Sequence, residues 1–246
     1  TTSGEFWNGE SVNNLYILNE DLEVVGSVEG LAEGERIYST RFLGEKVYLV
    51  TFRQVDPLFV IDTSNVEAPK VLGYLKITGY SSYLHPYDET HLIGVGMEAS
   101  EQGRVQGLKI ALFDVSDFAN PKEVDSYEIK EGSYSSSDAL YDHKAFLFDK
   151  EKAILSIPVS YNDYENGKYE YWQGAYVFNV DVEGIDLKGK ISHDVSEQYW
   201  GGYVRRSLFM DDVLYTISNG KVKANRISDL SEIKEIELPK EEGVYY

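Results

Sequence analysis

Two short charged segments are the first candidates for ligand binding. Asp142-His143-Lys144 and Arg205-Arg206 each precede an apolar run, and Arg41 lies inside a third such run. The planar guanidinium group donates paired hydrogen bonds that match a carboxylate, phosphate or sulfate. One interpretation is an ion-pair network in which Asp142 neutralises Arg205 or Arg206. The other is an anion site formed by Arg41, His143, Arg205 and Arg206.

An aromatic segment at residues 161–172 offers a different chemistry. It combines four tyrosines and a tryptophan with carboxylates, amides and one glycine. Aromatic rings beside polar groups suit stacking on a sugar or the centre of a protein interface, so we predict ligand contacts at Tyr164 and Trp172. The alternatives are a solvated loop, or a long hairpin whose tyrosines pack on neighbouring residues.

Metal binding is less well supported by the sequence. The histidines at 85, 91, 143 and 193 have no HExxH or other tight zinc-ligand spacing. Calcium prefers carboxylate oxygens, which cluster at Asp211-Asp212 and at Asp163 with Glu165, although neither place has the EF-hand pattern. No cofactor is required by any motif, and calcium is the one metal for which we retain candidate ligands.

Motifs for catalysis are weaker still. The Gly-x-Ser-x-Gly nucleophile motif is missing from the sequence. Two carboxylates for glycoside hydrolysis could come from separate parts of the chain, so an enzyme acting on glycans stays open as an alternative. The sequence favours a protein that is not an enzyme.

Charge and composition exclude several classes. The 246 residues include 42 acidic and 23 basic side chains, and 42 − 23 leaves a net charge of −19. Such a surface repels phosphate backbones, so we expect no nucleic-acid partner. Without cysteine, disulfides and thiol catalysis are excluded. No apolar run approaches the ~20 residues that span a membrane.

The elements that position these residues are predicted to be β-strands. Short runs of Val, Ile, Tyr and Phe are separated by Gly, Asp, Asn and Ser. Residues 58–64 and 110–116 share one apolar-Asp-Ser pattern, with Asp62 and Asp114 at 114 − 62 = 52 residues apart, and each run is followed by Pro-Lys. Weaker copies lie at residues 15–28, 175–191 and 221–236.

A predicted hairpin precedes each of these strand pairs except the first. The hairpins are Ile37–Leu43 with Lys46–Phe52, Tyr83–Tyr87 with His91–Met97, Tyr141–Phe148 with Ala153–Val159, and Val204–Met210 with Val213–Ser218. The unit is therefore four strands over roughly 40–60 residues, the repeat of a β-propeller blade. We predict an all-β propeller, because sandwiches and jelly rolls do not repeat. Its blades lie at 34–77, 78–130, 131–193 and 199–239, after a partial blade at 1–33.

The partial first blade has two explanations. Residues 1–10 supply one degenerate strand, or further blades precede Thr1. We favour the second, in which the chain is the C-terminal part of a larger propeller. Its ring would then be closed by the missing blades or by self-association, since an open sheet edge is an association hazard.

Several segments also resemble a known family. They are residues 51–60, 81–86, 103–109, 139–146 and 203–208. Through them Gly34–Leu238 resembles the C-terminal part of the archaeal secreted β-propeller proteins, distant relatives of WD-40 repeats. The resemblance implies an extracellular or envelope-associated location, and it implies no catalytic residues.

The propeller geometry ranks the candidate sites. Loops between blades and loops joining second to third strands share one face, and the charged segments would begin the innermost strands. The longest such loops are predicted at 98–107 and 160–174, and long loops on a rigid scaffold indicate binding. We therefore predict a scaffold that binds a protein or glycan at the cell surface. A glycan-acting enzyme and a calcium-stabilised structural component are the alternatives.

Overall fold

The computed structural model shows five antiparallel β-sheets. It describes residues 1–53, 56–100, 102–132, 134–165, 168–193 and 202–239, with the backbone alone at 6, 56, 164, 165 and 168–170. Helical residues in these ranges form three short 3₁₀ helices, at Phe6–Asn8, Asp138–Leu140 and His143–Ala145. Within the described ranges, no helix is both long enough and apolar enough to cross a membrane.

The strands follow one another along the chain. Sheet 1 contains β1 (Thr2–Ser3), β2 (Val12–Leu18) and β3 (Val24–Leu31). Sheet 2 contains β4 (Arg36–Leu43), β5 (Lys46–Phe52), β6 (Asp56–Asp62) and β7 (Lys70–Ile77). Sheet 3 contains β8 (Tyr80–Pro86), β9 (His91–Ala99), β10 (Val105–Asp114) and β11 (Lys122–Glu128). Sheet 4 contains β12 (Tyr134–Ser136), β13 (Leu147–Asp149), β14 (Ile154–Glu165), β15 (Lys168–Val180) and β16 (Ile185–Ser192). Sheet 5 contains β17 (Val204–Met210), β18 (Val213–Ser218), β19 (Lys221–Arg226) and β20 (Glu232–Glu237).

In sheets 1, 2, 3 and 5 neighbouring strands are consecutive in the chain, whereas in sheet 4 both β12 and β13 pair with β14. Sheets 2 to 5 lie within the four predicted blade ranges, and the all-β prediction is confirmed. In sheet 1 the short strand β1 pairs Thr2 with Asn13 and Ser3 with Val12. A degenerate strand is therefore present within residues 1–10.

The predicted inner strand Tyr141–Phe148 is wrong over most of its length. Both β12 and β13 pair with β14, and residues 137–146 leave the sheet between them through two 3₁₀ helices. Ser137 Oγ accepts a hydrogen bond from Ala139 N, and Asp142 accepts one from Lys144 N at 2.9 Å. Such side-chain acceptors cap helical turns and compete with the strand ladder.

The predicted loop at 160–174 is also wrong, because two long strands of a hairpin occupy most of it. Strands β14 and β15 continue as a ladder that pairs Tyr161 with Trp172 and Asp163 with Glu170. Aromatic cross-strand pairs favour such an extension. The other long loop is shorter than predicted, because β9 extends to Ala99 and β10 begins at Val105.

The chain forms two compact units, Thr1–Glu128 and the residues from Ile129 onward. In the first unit, sheets 2 and 3 bury Tyr48, Val60 and Phe113 together. In the second unit, sheets 4 and 5 enclose a core that includes Val177 and Leu214. In each unit, consecutive sheets therefore pack face to face through the alternate apolar residues of their strands.

A glycine recurs in the outermost strand of sheets 1, 2 and 4. A Cβ atom at Gly73 would collide with the carbonyl oxygens of Phe118 and Ala119, in the β10–β11 turn of the next sheet. Gly26 stands in the same relation to Val66 of the β6–β7 turn, and Gly189 faces the Leu230 side chain. The repeated glycine lets each turn approach the preceding sheet closely.

Candidate functional site

A row of polar side chains that includes two exposed tyrosines crosses sheet 4. Tyr134 of β12 lies opposite Asn162 of β14, which lies opposite Tyr171 of β15. Residues directly opposite one another in a sheet project from the same face. Tyr134 is 56% exposed and Tyr171 is 41% exposed. The Tyr171 ring lies 5.6 Å from the Tyr203 ring. We call Tyr134, Asn162, Tyr171 and Tyr203 the tyrosine row.

The tyrosine row is accessible because the strands on either side of the β14–β15 hairpin stop pairing with it close to the row. Pairing of β15 with β16 stops at Gly174, and pairing of β14 with β12 stops at Asn162. The pairs Asp163–Glu170, Tyr164–Tyr169 and Glu165–Lys168 therefore form a two-stranded ribbon that projects beyond sheet 4. Tyr164 and Glu165 belong to this ribbon, opposite Tyr169 and Lys168. Their side chains lie outside the described residues, so their predicted contacts stay predictions.

Trp172 lies on the opposite face of the hairpin. Its ring stacks on Tyr161, with the centroids 5.4 Å apart and the planes at 15°. The Lys190 ammonium is 5.7 Å from each of these ring centroids and 4.5 Å from the centroid of the buried Tyr176. A cation held over aromatic faces stabilises this packing. Half-buried Trp172 thus has a packing role, and its predicted ligand contact stays untested.

Glu131 completes the cluster around Lys190. Its carboxylate lies 2.5 Å from the Lys190 ammonium. Burial acts to raise the pKa of Glu131, but the hydrogen bond and charge of Lys190, a backbone hydrogen bond and a hydrogen bond with Tyr176 together outweigh it and leave that pKa below its usual value. The ion pair therefore fixes the ammonium against the rings.

The ion pair expected between Asp142 and Arg206 is present. Arg206 donates from a guanidinium nitrogen to Asp142 Oδ2 at 2.6 Å and from its other terminal nitrogen to the Arg205 carbonyl at 2.7 Å. The Lys144 N–H first, and then the Arg206 charge, hold the pKa of Asp142 below its usual value. The pair joins the 137–146 insertion of sheet 4 to β17 of sheet 5.

The other members of the predicted anion site are more dispersed. Arg205 is half exposed and lies 3.9 Å from Asp138, while His143 is exposed in the second 3₁₀ helix. Arg41 belongs to the first unit, where its Nε donates to the Leu84 carbonyl at 2.7 Å and its guanidinium covers the Tyr83 ring. The described contacts of Arg41 and Arg206 are thus internal to the protein.

The acidic residues considered for calcium do not converge in the described part of the chain. Asp211 and Asp212 form the exposed β17–β18 turn, where Asp212 lies 3.6 Å from Lys152. Asp163 lies in β14. No group of three His, Asp or Glu side chains suited to a metal occurs among the described residues. Calcium binding stays a prediction.

A buried charge cluster in sheet 3 was not predicted. Lys109 of β10 lies 3.0 Å from Glu98 of β9 and 3.0 Å from Glu123 of β11, and only 8% of the Lys109 side chain is exposed. Burial acts to lower the pKa of Lys109, but the two carboxylates outweigh it and raise that pKa. The signal was a lone lysine within the apolar run 108–113.

The repeated antiparallel sheets, three of them four-stranded meanders, pack in chain order within each unit and define β-propeller blades. The family model described as "Beta propeller domain" matches residues 1–230, and the chain belongs to this family.

Two archaeal proteins are similar to this chain in sequence. An uncharacterized protein of Methanocaldococcus jannaschii is 40% identical over 239 residues, which are 97% of this chain and 34% of the relative. An uncharacterized protein of Archaeoglobus fulgidus is 38% identical over 226 residues, which are 92% of this chain and 32% of the relative. The chain thus spans about a third of the length of these curated relatives. The predicted archaeal β-propeller family is confirmed, whereas secretion stays a prediction.

Proposed function

We propose that this chain is an extracellular or envelope-associated scaffold that binds a glycan or a protein segment at the tyrosine row. The observation that carries the proposal is the register of Tyr134, Asn162 and Tyr171, which presents two exposed rings on either side of an amide. A tyrosine ring offers an apolar face for stacking and a hydroxyl for hydrogen bonding, while asparagine both donates and accepts. The location rests on the family resemblance alone.

Rigidity supports the tyrosine row over the arginines as the contact surface. Tyr134, Asn162 and Tyr171 lie on paired strands, so little backbone freedom remains to be lost on binding. At the predicted anion site, Arg206 is engaged by Asp142 at 2.6 Å. An anion at that place would have to displace a carboxylate that is attached to the protein.

The first test measures sugar binding. The protein is screened on immobilised neutral, acidic and amino oligosaccharides, and each sugar that binds is titrated by calorimetry. We expect Tyr134→Ala/Tyr171→Ala to weaken binding at least about tenfold, because a stacked aromatic contact contributes more than 1 kcal/mol. The matched control is Tyr16→Ala/Tyr74→Ala, which removes two tyrosines of similar exposure, 39% and 55%. Equal losses in both variants would contradict the assignment.

A parallel pull-down tests a protein partner. Envelope extract of the source cells is captured with the original chain and with both double variants, after circular dichroism has shown that each is folded. A protein retained by the original and the control, and lost by Tyr134→Ala/Tyr171→Ala, supports binding at the row. If neither assay shows any ligand, the proposed function is wrong.

A further inference from the structure

The tyrosine row lies on the face of sheet 4 that packs on sheet 5. Alternate residues of a strand share a face, so Tyr171 of β15 shares one with Gln173 and Val177. Gln173 bonds to the backbone of Val204, the first residue of β17, and Val177 packs with Val204 in the core of these two sheets. The row and the strands that position it therefore belong to the second unit alone.

The β-sheet gives the row a regular spacing. Neighbouring strands lie about 4.8 Å apart, so the two steps from Tyr134 across Asn162 to Tyr171 cover about 10 Å. The Tyr203 ring follows at 5.6 Å from the Tyr171 ring. The row thus places a ring at its first, third and fourth positions and an amide at its second.

An extended glycan has nearly the same repeat. When the linkages and ring substituents of its sugars are equatorial, each sugar advances the chain by close to the distance between neighbouring strands. Both faces of such a sugar consist of C–H groups, on which a tyrosine ring stacks. Sugars two steps apart therefore match Tyr134 and Tyr171. The sugar between them meets Asn162, whose amide both donates to and accepts from hydroxyl groups.

An extended peptide laid across the same strands does not match this spacing. Its side chains return to one face at every second residue, about 6.6 Å along the chain. With one side chain placed over Tyr134, the next therefore lies between Asn162 and Tyr171 and over neither ring. The spacing of the row favours a glycan over a peptide.

The charge of the protein favours a neutral glycan. The net charge of the chain is −19. The ribbon beyond the row contains three carboxylates and one ammonium group, at Asp163, Glu165, Glu170 and Lys168. Three basic residues of the second unit lie beside carboxylates, as the pairs Lys190–Glu131, Arg205–Asp138 and Arg206–Asp142. An acidic glycan would therefore be repelled.

We propose that the tyrosine row binds a neutral, extended glycan with equatorial linkages, which crosses the strands with one sugar at each of the four side chains. The inference rests on the proposed function and specifies its ligand. A disaccharide reaches Tyr171 and Tyr203, a trisaccharide adds Asn162, and a tetrasaccharide adds Tyr134. Affinity therefore rises with chain length up to the tetrasaccharide and then levels off.

Calorimetric titration with sugars of increasing length tests the proposal. The probes are cello-oligosaccharides and N-acetylated chito-oligosaccharides, both extended and equatorially linked, from the disaccharide to the pentasaccharide. In the series that binds, we expect the tetrasaccharide to bind at least about fivefold more tightly than the trisaccharide, because it adds a stacked ring. The pentasaccharide should bind no more tightly than the tetrasaccharide. Malto-oligosaccharides, in which an axial linkage curves the chain, should show no such increase.

A matched pair of variants assigns the increase to one ring. Tyr134→Ala should abolish the difference between trisaccharide and tetrasaccharide and leave disaccharide binding unchanged. Tyr74→Ala should retain the difference, and it removes a ring that is 55% exposed, compared with 56% for Tyr134. Circular dichroism shows that both variants are folded. A difference that persists in Tyr134→Ala overturns the proposed path of the glycan.

The remaining outcomes separate this inference from the proposed function. Sugar binding that is lost in Tyr134→Ala/Tyr171→Ala, but is independent of chain length or equal for malto-oligosaccharides, overturns the extended glycan and leaves the row as a binding surface. A protein captured through the row, with no binding in either extended series, has the same meaning. If the row binds neither sugar nor protein, both the inference and the proposed function are wrong.

Discussion

The side-chain amide of Gln173 forms two hydrogen bonds with the backbone of Val204. Its Nε2 donates to the Val204 carbonyl and its Oε1 accepts from the Val204 N–H, both at 2.7 Å. Gln173 lies in β15 and Val204 begins β17, so one buried side chain joins sheet 4 to sheet 5 as a strand partner would. This contact also fixes the base of the hairpin that carries the tyrosine row.

Replacing Gln173 by leucine should therefore destabilise the protein. The substitution preserves most of the volume but leaves a buried N–H and a buried C=O without partners, each of which costs about 1–3 kcal/mol. We expect Gln173→Leu to lower the free energy of unfolding by about 2–4 kcal/mol, measured by urea denaturation. Gln102→Leu, at an exposed loop residue, is the control and should change it by less than about 0.5 kcal/mol. Equal effects of the two would show that the amide contact contributes little.

Gly73 and Gly189 provide a matched pair of substitutions. A Cβ at Gly73 meets backbone carbonyls, which cannot move without shifting the β10–β11 turn, whereas at Gly189 it meets only the end of the Leu230 side chain. We expect Gly73→Ala to cost about 1–3 kcal/mol or more, as overpacking does. Gly189→Ala should lie within about 1 kcal/mol of the original, because the rotamer of Leu230 can adjust. Thermal unfolding of both variants distinguishes them, and a Gly73→Ala protein as stable as Gly189→Ala contradicts the close approach.

Removing the Lys109 charge should destabilise the protein, and removing the two carboxylate charges as well should restore its stability. Lys109→Met leaves the Glu98 and Glu123 carboxylates buried without a cation, which should reduce the free energy of unfolding by about 3–5 kcal/mol. Adding Glu98→Gln and Glu123→Gln removes the uncompensated charge and should restore most of it. Chemical unfolding of the single and triple variants measures both steps. A single variant that loses under about 1 kcal/mol would mean that water or another cation reaches the carboxylates.

Calcium removal offers a simpler measurement. The exposed Asp212 carboxylate is close to Lys152, and the described acidic residues form no three-ligand group. A ligand that binds the native state raises the melting temperature. If calcium binds at either predicted cluster, the protein should melt at a higher temperature in calcium than in EDTA, and equal melting temperatures would show that calcium does not stabilise the fold.

The blade pattern was predictable because it is repeated and local. Alternating apolar residues and the Pro-Lys turns recur at a fixed offset, and they specify hairpins between neighbours in the chain. The 137–146 insertion was missed because Ser137 and Asp142 cap 3₁₀ turns within a stretch whose apolar residues resemble a strand. The strand propensity of these residues alone does not decide between a β-strand and capped 3₁₀ turns.

The candidate site was less predictable because it depends on register. Tyr171 shares a face with Tyr134 only through the pairing of both strands with β14, and a shift of one residue would move it to the opposite face. The Asp142–Arg206 pair spans 64 residues. The sequence suggested it through charge alone and could not choose between Arg205 and Arg206.

His85 makes a pH dependence testable. The side chain lies in β8, with its Nδ1 3.2 Å from the Tyr83 hydroxyl. Burial first, and then the nearby Arg41 charge, lower the pKa of His85 from 6.5 to about 4. The folded protein therefore holds this histidine neutral at a pH at which the unfolded chain protonates it.

The sign of the effect follows from proton linkage. Below pH 6.5 the unfolded state binds a proton that the folded state does not, so stability falls as the pH falls toward about 4. This stabilisation is fully present above pH 6.5. Because the His85 ring is partly exposed and solvent screens its interactions, we expect the stabilisation lost at about pH 4 to be on the order of 2 kcal/mol. His85→Gln cannot titrate, so its unfolding free energy should fall less than that of the original chain between pH 7 and about 4. Titration of the His85 ring by NMR gives the pKa directly. A midpoint near 6.5, or the same pH dependence in both proteins, would show that the buried ring and Arg41 do not act on His85 in this way.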